Sequence, residues 1–255
     1  MPLLQTENLS IRFGGLVAVN RVSLRANPGE VLGMIGPNGS GKTTLFNLIT
    51  GIYRPHEGRV SLRGAEITGL PPHHIARLGV ARTFQASRLF LELTVMDNVI
   101  LGMTGRQPIS WMAPVFRPAA ARAQMANLAE KAWDLLAAFS PALAVGHHRR
   151  ARELTLVDRR RLEICRALAV EPEVLLLDEP SAGMDARESA GLMEEIGRLR
   201  AHRPHLCLVI IEHDMEVVRG LTDRVIVLNH GQKIAEGTFA EVAASPEVRN
   251  AYLGT

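Results

Sequence analysis

An apolar run, Val31-Leu32-Gly33-Met34-Ile35, leads into Gly36-Pro37-Asn38-Gly39-Ser40-Gly41-Lys42-Thr43-Thr44 and then into a second apolar run, Leu45-Phe46-Asn47-Leu48-Ile49. The middle stretch satisfies G-x-x-x-x-G-K-[ST] at every fixed position, with a strand pattern before it and a helix pattern after it, the context in which such a loop wraps a polyphosphate. Close wrapping by backbone N–H groups demands positive φ angles and no obstructing Cβ, which Gly36, Gly39 and Gly41 supply. Lys42 then sets a compact positive charge on the β- and γ-phosphates, Thr43 offers a hydroxyl to Mg²⁺, and the helix aims its N-terminal dipole at the anion. With both flanks intact, a nucleoside triphosphate site outweighs a plain glycine-rich turn.

The chain has 255 residues, 47% of them apolar, enough for a substantial core. A net charge of +3 with scattered basic residues gives no argument for a nucleic-acid partner. No run approaches the roughly 18 to 20 uncharged apolar residues of a spanning helix, and Met1–Glu7 has neither a basic region nor a cleavage pattern, so a cytosolic chain is expected. Cys165 and Cys207 stand apart from any Cys/His cluster and are expected to be buried, reduced thiols.

Alternation predicts strands over Leu3–Phe13 and Leu16–Arg25 around a Gly14-Gly15 turn, with a bulge or break near Asn20-Arg21 where the inward phase switches. Phe13 falls in a loop-like position of a chain with 4% aromatics; spacing alone leaves adenine stacking and a strand-end core residue as equal readings. Gly58–Gly64 reads as a short strand, Pro71–Leu78 as a short helix stopped by Gly79, and Val80–Gln85 as a strand ending in an amide. From Ala86 to about Leu154 the pattern turns helical, with Val95–Leu101 and Ala119–Phe139 as helices. A proline-bearing loop between them carries Trp111, Met112 and Phe116, either a partner surface or local packing.

Thr155 and Asp158 have capping-box spacing for a helix continuing to Leu168. Val174–Leu177 is then a continuous apolar strand, the type that a sheet covered on both faces demands, and it ends in Asp178 and Glu179. Acids at that end lie where open α/β sheets bind ligands, so Asp178 is predicted to hold Mg²⁺ and Glu179 to orient the attacking water. Leu206–Glu212 is a second buried strand, and His213 at its end is placed to hydrogen-bond a γ-phosphate. Arg224–Gly237 reads as a hairpin followed by a small helical end.

Taken in order, these pieces resemble the ATP-binding subunits of ABC transporters over essentially the whole chain. Gly36–Thr43 looks like the Walker A loop, Gln85 like the Q-loop glutamine, Leu154-Thr155-Leu156-Val157-Asp158 like the signature, Leu175–Glu179 like the Walker B strand with its catalytic glutamate, Ser181–Asp185 like the D-loop and His213 like the switch histidine. Phe13 matches the adenine-stacking aromatic, which favours that role. Ala81–Gln85, Arg160–Ile164, Ile211–Met215 and Ala251–Gly254 look most like the ATPases of branched-chain amino acid importers. The resemblance implies one ABC ATP-binding domain over residues 1–255, with an α/β P-loop NTPase (RecA-like) core, an antiparallel β-subdomain and a helical subdomain inserted at about 86–160. It also implies ATP and Mg²⁺ as cofactors, with Thr43, Gln85 and Asp178 at the metal and Glu179, His213 and Gln85 catalytic.

The implied partners are a second ATP-binding subunit, membrane permease subunits and, indirectly, a periplasmic or extracellular binding protein. The implied location is the cytoplasmic face of the plasma membrane, peripherally bound. The signature departs from the usual Leu-Ser-Gly-Gly-Gln: Val157 lacks the glycine and Asp158 brings a negative charge towards a phosphate. Competing readings are a soluble ABC ATPase acting on ribosomes or DNA, for which a second cassette or long coiled-coil insertion is missing, and an importer ATPase for another small solute such as urea or amides.

Overall fold

The computed structural model describes residues 1–84, 88–105 and 118–253. Gln85, Trp111, Met112 and Phe116 lie outside the described residues. The chain divides into two compact units, Met1–Gln85 with Glu173–Ala182 and Arg200–Thr255, and Ala86–Pro172 with Gly183–Leu199.

In chain order the described strands are β1 (Leu4–Phe13), β2 (Leu16–Ala26), β3 (Val31–Ile35), β4 (Glu57–Leu62), β5 (Ala65–Glu66), β6 (Val80–Arg82), β7 (Val174–Asp178), β8 (Cys207–Ile211), β9 (Arg224–Asn229) and β10 (Gln232–Gly237). The described helices are α1 (Lys42–Ile49), α2 (Pro72–Arg77), α3 (Val95–Met103), α4 (Pro118–Phe139), α5 (Pro141–Val145), α6 (Leu156–Leu168), α7 (Ala186–His202), α8 (Met215–Leu221), α9 (Phe239–Ala244) and α10 (Pro246–Leu253).

In the first unit, an antiparallel sheet of order β2-β1-β4-β5 faces a second sheet of order β10-β9-β3-β8-β7-β6, parallel except for the β10 edge. The second sheet is covered on both faces, as its apolar strands require. Met34, Ile226 and Leu228 join the core shared with α1 and the antiparallel sheet. Their neighbours Ile35, Val225 and Val227 point the other way, onto Val218 of α8, Val242 of α9 and Val248 of α10. The predicted bulge is present: Leu9 pairs with Val22 but Ile11 with Val19, so Asn20 and Arg21 on β2 stand opposite the single Ser10 on β1, with Arg21 at φ 49°.

Because β3, β8 and β7 are neighbours and run parallel, Gly36, Glu212 and Glu179 all follow the carboxyl ends of their strands, at one end of the sheet rather than along its flank. That end is the place where parallel sheets collect ligand-binding residues. One strand is shorter than its pattern: β6 stops at Arg82, after which the Thr83 N–H bonds Leu176 O at 2.9 Å and the ladder ends.

In the second unit, α3 starts with a full capping box in which the Thr94 hydroxyl accepts from the Asp97 N–H. Asn98, fully buried, holds the segment ahead of it by accepting from Phe90 N–H at 2.9 Å and donating to Phe90 O at 3.0 Å. The inner face of α4 carries Leu128, Ala132, Leu135, Leu136 and Phe139, a spacing of three and four that gives one buried stripe.

Candidate functional site

The loop between β3 and α1 is built around glycine where the backbone closes up. Gly36 has φ 151°, and a Cβ there would lie 2.1 Å from Leu228 O; at Gly41, with φ 101°, it would lie 2.5 Å from Ala18 O. Lys42, 6% exposed, curls back to donate to Gly36 O at 2.7 Å and Pro37 O at 3.0 Å. Burial pushes its ammonium below the usual lysine range, and the Glu179 and Asp178 carboxylates oppose the shift. The loop is anchored from the far end of the chain: Gly231 N–H, in the β9–β10 turn, donates to Ser40 O at 3.0 Å.

At the end of β7, Asp178 is fully buried. Burial drives its carboxyl upward, and the Arg82 guanidinium opposes this by hydrogen bond and charge, with a smaller contribution from the Thr43 hydroxyl. Arg82 donates to Asp178 Oδ2 at 2.6 Å, while Oδ1 has no hydrogen-bond partner among the described residues. Glu179 turns out of the strand with φ 48°, an uncommon conformation for a residue with a side chain. Its Oε1 lies 2.7 Å from His213 Nε2. Glu212, 3% exposed, braces this corner: Oε1 accepts from Ser181 N–H at 3.0 Å and from its hydroxyl at 2.7 Å, and Oε2 accepts from His213 N–H at 3.3 Å. Burial raises the Glu212 carboxyl and those three donors oppose it.

Lys42 and Glu179 border a cleft of about 520 Å³, which Asp178, Glu212 and His213 do not line. Asn38 to Thr44 form one wall, Phe13 and Leu16 to Ala18 another, and Glu179 and His230 complete the lining. Phe13 is 45% exposed, with its ring 5.2 Å from Tyr53 and tilted 69° to it, so it is fixed on one side and open on the other. Gly36 and Pro37 are absent from the lining; their carbonyls receive Lys42 instead. Pattern reasoning missed Arg82, Tyr53, Glu212 and His230. Of these only Arg82 carried a signal, a charged residue in an otherwise buried strand.

The residues fit a nucleotide with a divalent cation. The loop of positive-φ residues Gly39 and Gly41 lines the cleft and suits phosphate, and Asp178, whose Oδ1 is orphaned and whose carboxyl interacts with the Thr43 hydroxyl, suits a hard cation. Among the described residues no group of three His, Cys, Asp or Glu side chains can hold a metal by itself. Such a cation would therefore depend on phosphate oxygens and water for its remaining ligands, the usual situation for Mg²⁺.

In the second unit, the capping box expected at α6 forms only by half. The Thr155 hydroxyl accepts from Asp158 N–H at 3.2 Å, but the Asp158 carboxylate turns to Arg161 at 3.0 Å, and Arg161 also binds Glu195 at 2.8 Å. A fixed guanidinium between two acids offers Asp158 a charge-assisted partner that the Thr155 N–H cannot match. Val157 is 6% exposed and Leu156 is 51% exposed.

A family model described as "ABC transporter" matches residues 19–182, more than half of the chain. The chain belongs to the ABC transporter family. A second model, described as "Branched-chain amino acid ATP-binding cassette transporter", matches residues 232–255. The high-affinity branched-chain amino acid transport ATP-binding protein LivG of Salmonella typhimurium is 43% identical over 99% of this chain and 98% of its own length. BraF of Pseudomonas aeruginosa, with the same description, is 41% identical over 99% and 98%. A crystal structure of a nucleotide-free ATP-binding cassette from an ABC transporter superposes with a TM-score of 0.86 at 32% identity, covering all of both chains. The chain is an ATPase of the ABC transporter family, and its α/β architecture is that of the P-loop cassettes. No described helix is long and apolar enough to cross a membrane.

Proposed function

We propose that this chain is the ATP-hydrolysing subunit of an importer for branched-chain or similar hydrophobic amino acids. It pairs head to tail with a second ATP-binding subunit and docks peripherally on permease subunits at the cytoplasmic membrane face, with an extracytoplasmic binding protein delivering the solute. Support for the solute class comes from the full-length similarity to LivG and BraF and from the matching C-terminal segment. Support for hydrolysis comes chiefly from one observation, the 2.7 Å contact between Glu179 and His213 beside the phosphate loop.

In this reading Lys42 exchanges its bonds to Gly36 O and Pro37 O for β- and γ-phosphate oxygens, and the loop N–H groups take the remaining phosphate charge. Phe13 stacks on adenine. Thr43 and Asp178 would hold Mg²⁺, and the cation would supply positive charge to offset that of the phosphates. Glu179 accepts a hydrogen bond from the attacking water and orients it in line; His213 holds Glu179 in position and can donate to the γ-phosphate. Gln85 would complete the metal site, and Leu154–Asp158 would face the partner's nucleotide.

Glu179→Gln should keep ATP affinity while slowing turnover about 10²–10⁴-fold, the usual worth of a positioned base. Equilibrium nucleotide binding alongside phosphate release measures both, and near-normal turnover would remove Glu179 from the mechanism. For the solute, the chain co-expressed with its permeases should hydrolyse ATP faster when leucine-loaded binding protein is added to proteoliposomes; stimulation by urea or amides instead would shift the solute class.

A further inference from the structure

Arg82 is a charged residue on β6, in a sheet whose neighbouring strand β7 is apolar up to its last residue, Asp178. Its side chain is 5% exposed and that of Asp178 is fully buried, with Nη2 and Oδ2 2.6 Å apart. Nη1 donates to Asn47 Oδ1 on α1 at 2.5 Å. The guanidinium also lies over two rings, 5.4 Å from the Phe46 centroid and 5.1 Å from that of Phe84. One planar fork thus ties together β6, the helix after the phosphate loop, and the carboxylate at the end of β7. Such a fork, with both amino groups engaged and aromatic rings against it, is fixed and does not swing away as a surface side chain would.

We infer that Arg82 is a resident counter-ion of the cation-binding carboxylate: it neutralises Asp178 in the metal-free protein and then shares that carboxylate with the divalent cation arriving with the nucleotide. This rests on reading Asp178 as the metal ligand. The two oxygens divide the work, Oδ2 held by Arg82 and Oδ1 left without a partner among the described residues. A buried carboxylate with no counter-charge is costly, so Arg82 matters most before metal binds. Once a cation coordinates Oδ1, two positive groups compete for one negative charge and each is worth less in the presence of the other. Arg82 is therefore a positioning residue that protects the metal-free site and raises the Mg²⁺ concentration the site requires.

The test is equilibrium binding of a non-hydrolysable ATP analogue to the full chain, titrated with Mg²⁺ and compared with EDTA, alongside thermal unfolding in both conditions. In Arg82→Met the Mg²⁺ concentration for half-maximal tightening should fall about tenfold, and the melting temperature should drop more in EDTA than with Mg²⁺ and nucleotide. Arg82→Lys, which keeps the charge and loses the fork, should retain a near wild-type Mg²⁺ requirement, and it serves if Arg82→Met does not fold. In an Asp178→Asn background, Arg82→Met should no longer alter the Mg²⁺ requirement. An unchanged or raised requirement in Arg82→Met, equal losses of melting temperature in both conditions, or a Lys variant that behaves like Met overturns the inference. If Asp178→Asn alone leaves the Mg²⁺ dependence untouched, the metal-ligand reading itself fails, a different result from failure of Arg82 alone.

Discussion

Phe13 illustrates how a single side chain is committed by its neighbours. One edge is occupied by Tyr53 and 45% of the residue remains exposed along the cleft beside Asn38–Thr44, so its open face is available for stacking and contributes little to the core. Stacking reads a π-face and not a hydrogen-bond pattern, so Phe13→Ala should weaken ATP and GTP alike, by about 1–3 kcal/mol. Titrations with both nucleotides measure this, and unchanged affinity would return Phe13 to a packing role. The placement of Lys42, Asp178, Glu179 and His213 near one another was legible in the sequence because each follows from its distance to a strand end or a fixed motif. Glu212 and His230 were not, and Arg82 only as a charged residue in a buried strand, since what each touches is decided by which strands become neighbours, and that order is not written in local spacing.

The start of α6 shows the same limit for an element. Thr155 as the cap was legible, while the destination of the Asp158 carboxylate was not, because Arg161 competes for it and is itself steadied by Glu195 on α7. The consequence is that the charge of Asp158 is already matched, so the repulsion of a phosphate expected from the bare sequence is reduced. Asp158→Gln should change the ATPase rate of the assembled transporter by no more than about twofold, the scale of a partly exposed substitution with no unmatched partner. Val157→Gly behaves differently. Val157 is buried on the inner side of α6, so the change should destabilise the helical unit by roughly 1–3 kcal/mol through lost helix propensity and lost packing. Urea unfolding measures that loss. A several-fold gain in turnover from either change would mean that the signature itself, not its neighbours, limits the site.

For the whole molecule, the two cysteines provide one reporter per unit, since Cys207 is a buried strand residue of the first and Cys165 a buried helix residue of the second. Burial pushes the Cys207 thiol up to about 12, so neither exposure nor ionisation favours its reaction in the native state. Labelling must wait for opening, and ligand at about 100 times its dissociation constant should slow the opening of the unit that binds it about a hundredfold. Mg²⁺ and nucleotide should therefore protect Cys207 by that factor and Cys165 by less; equal protection, read by mass spectrometry of the labelled peptides, would mean that the two units open as one. The sheet order has a further consequence, for synthesis. The strand that carries the phosphate loop, β3, finds its neighbours only in β8 and β9, and Ser40 O is bonded by Gly231. At about 5–20 residues per second, roughly 10 to 40 seconds separate translation of the loop from translation of its supports. A nascent or truncated chain ending before that hairpin has the motif but lacks the strands and the Gly231 N–H that hold its loop in shape.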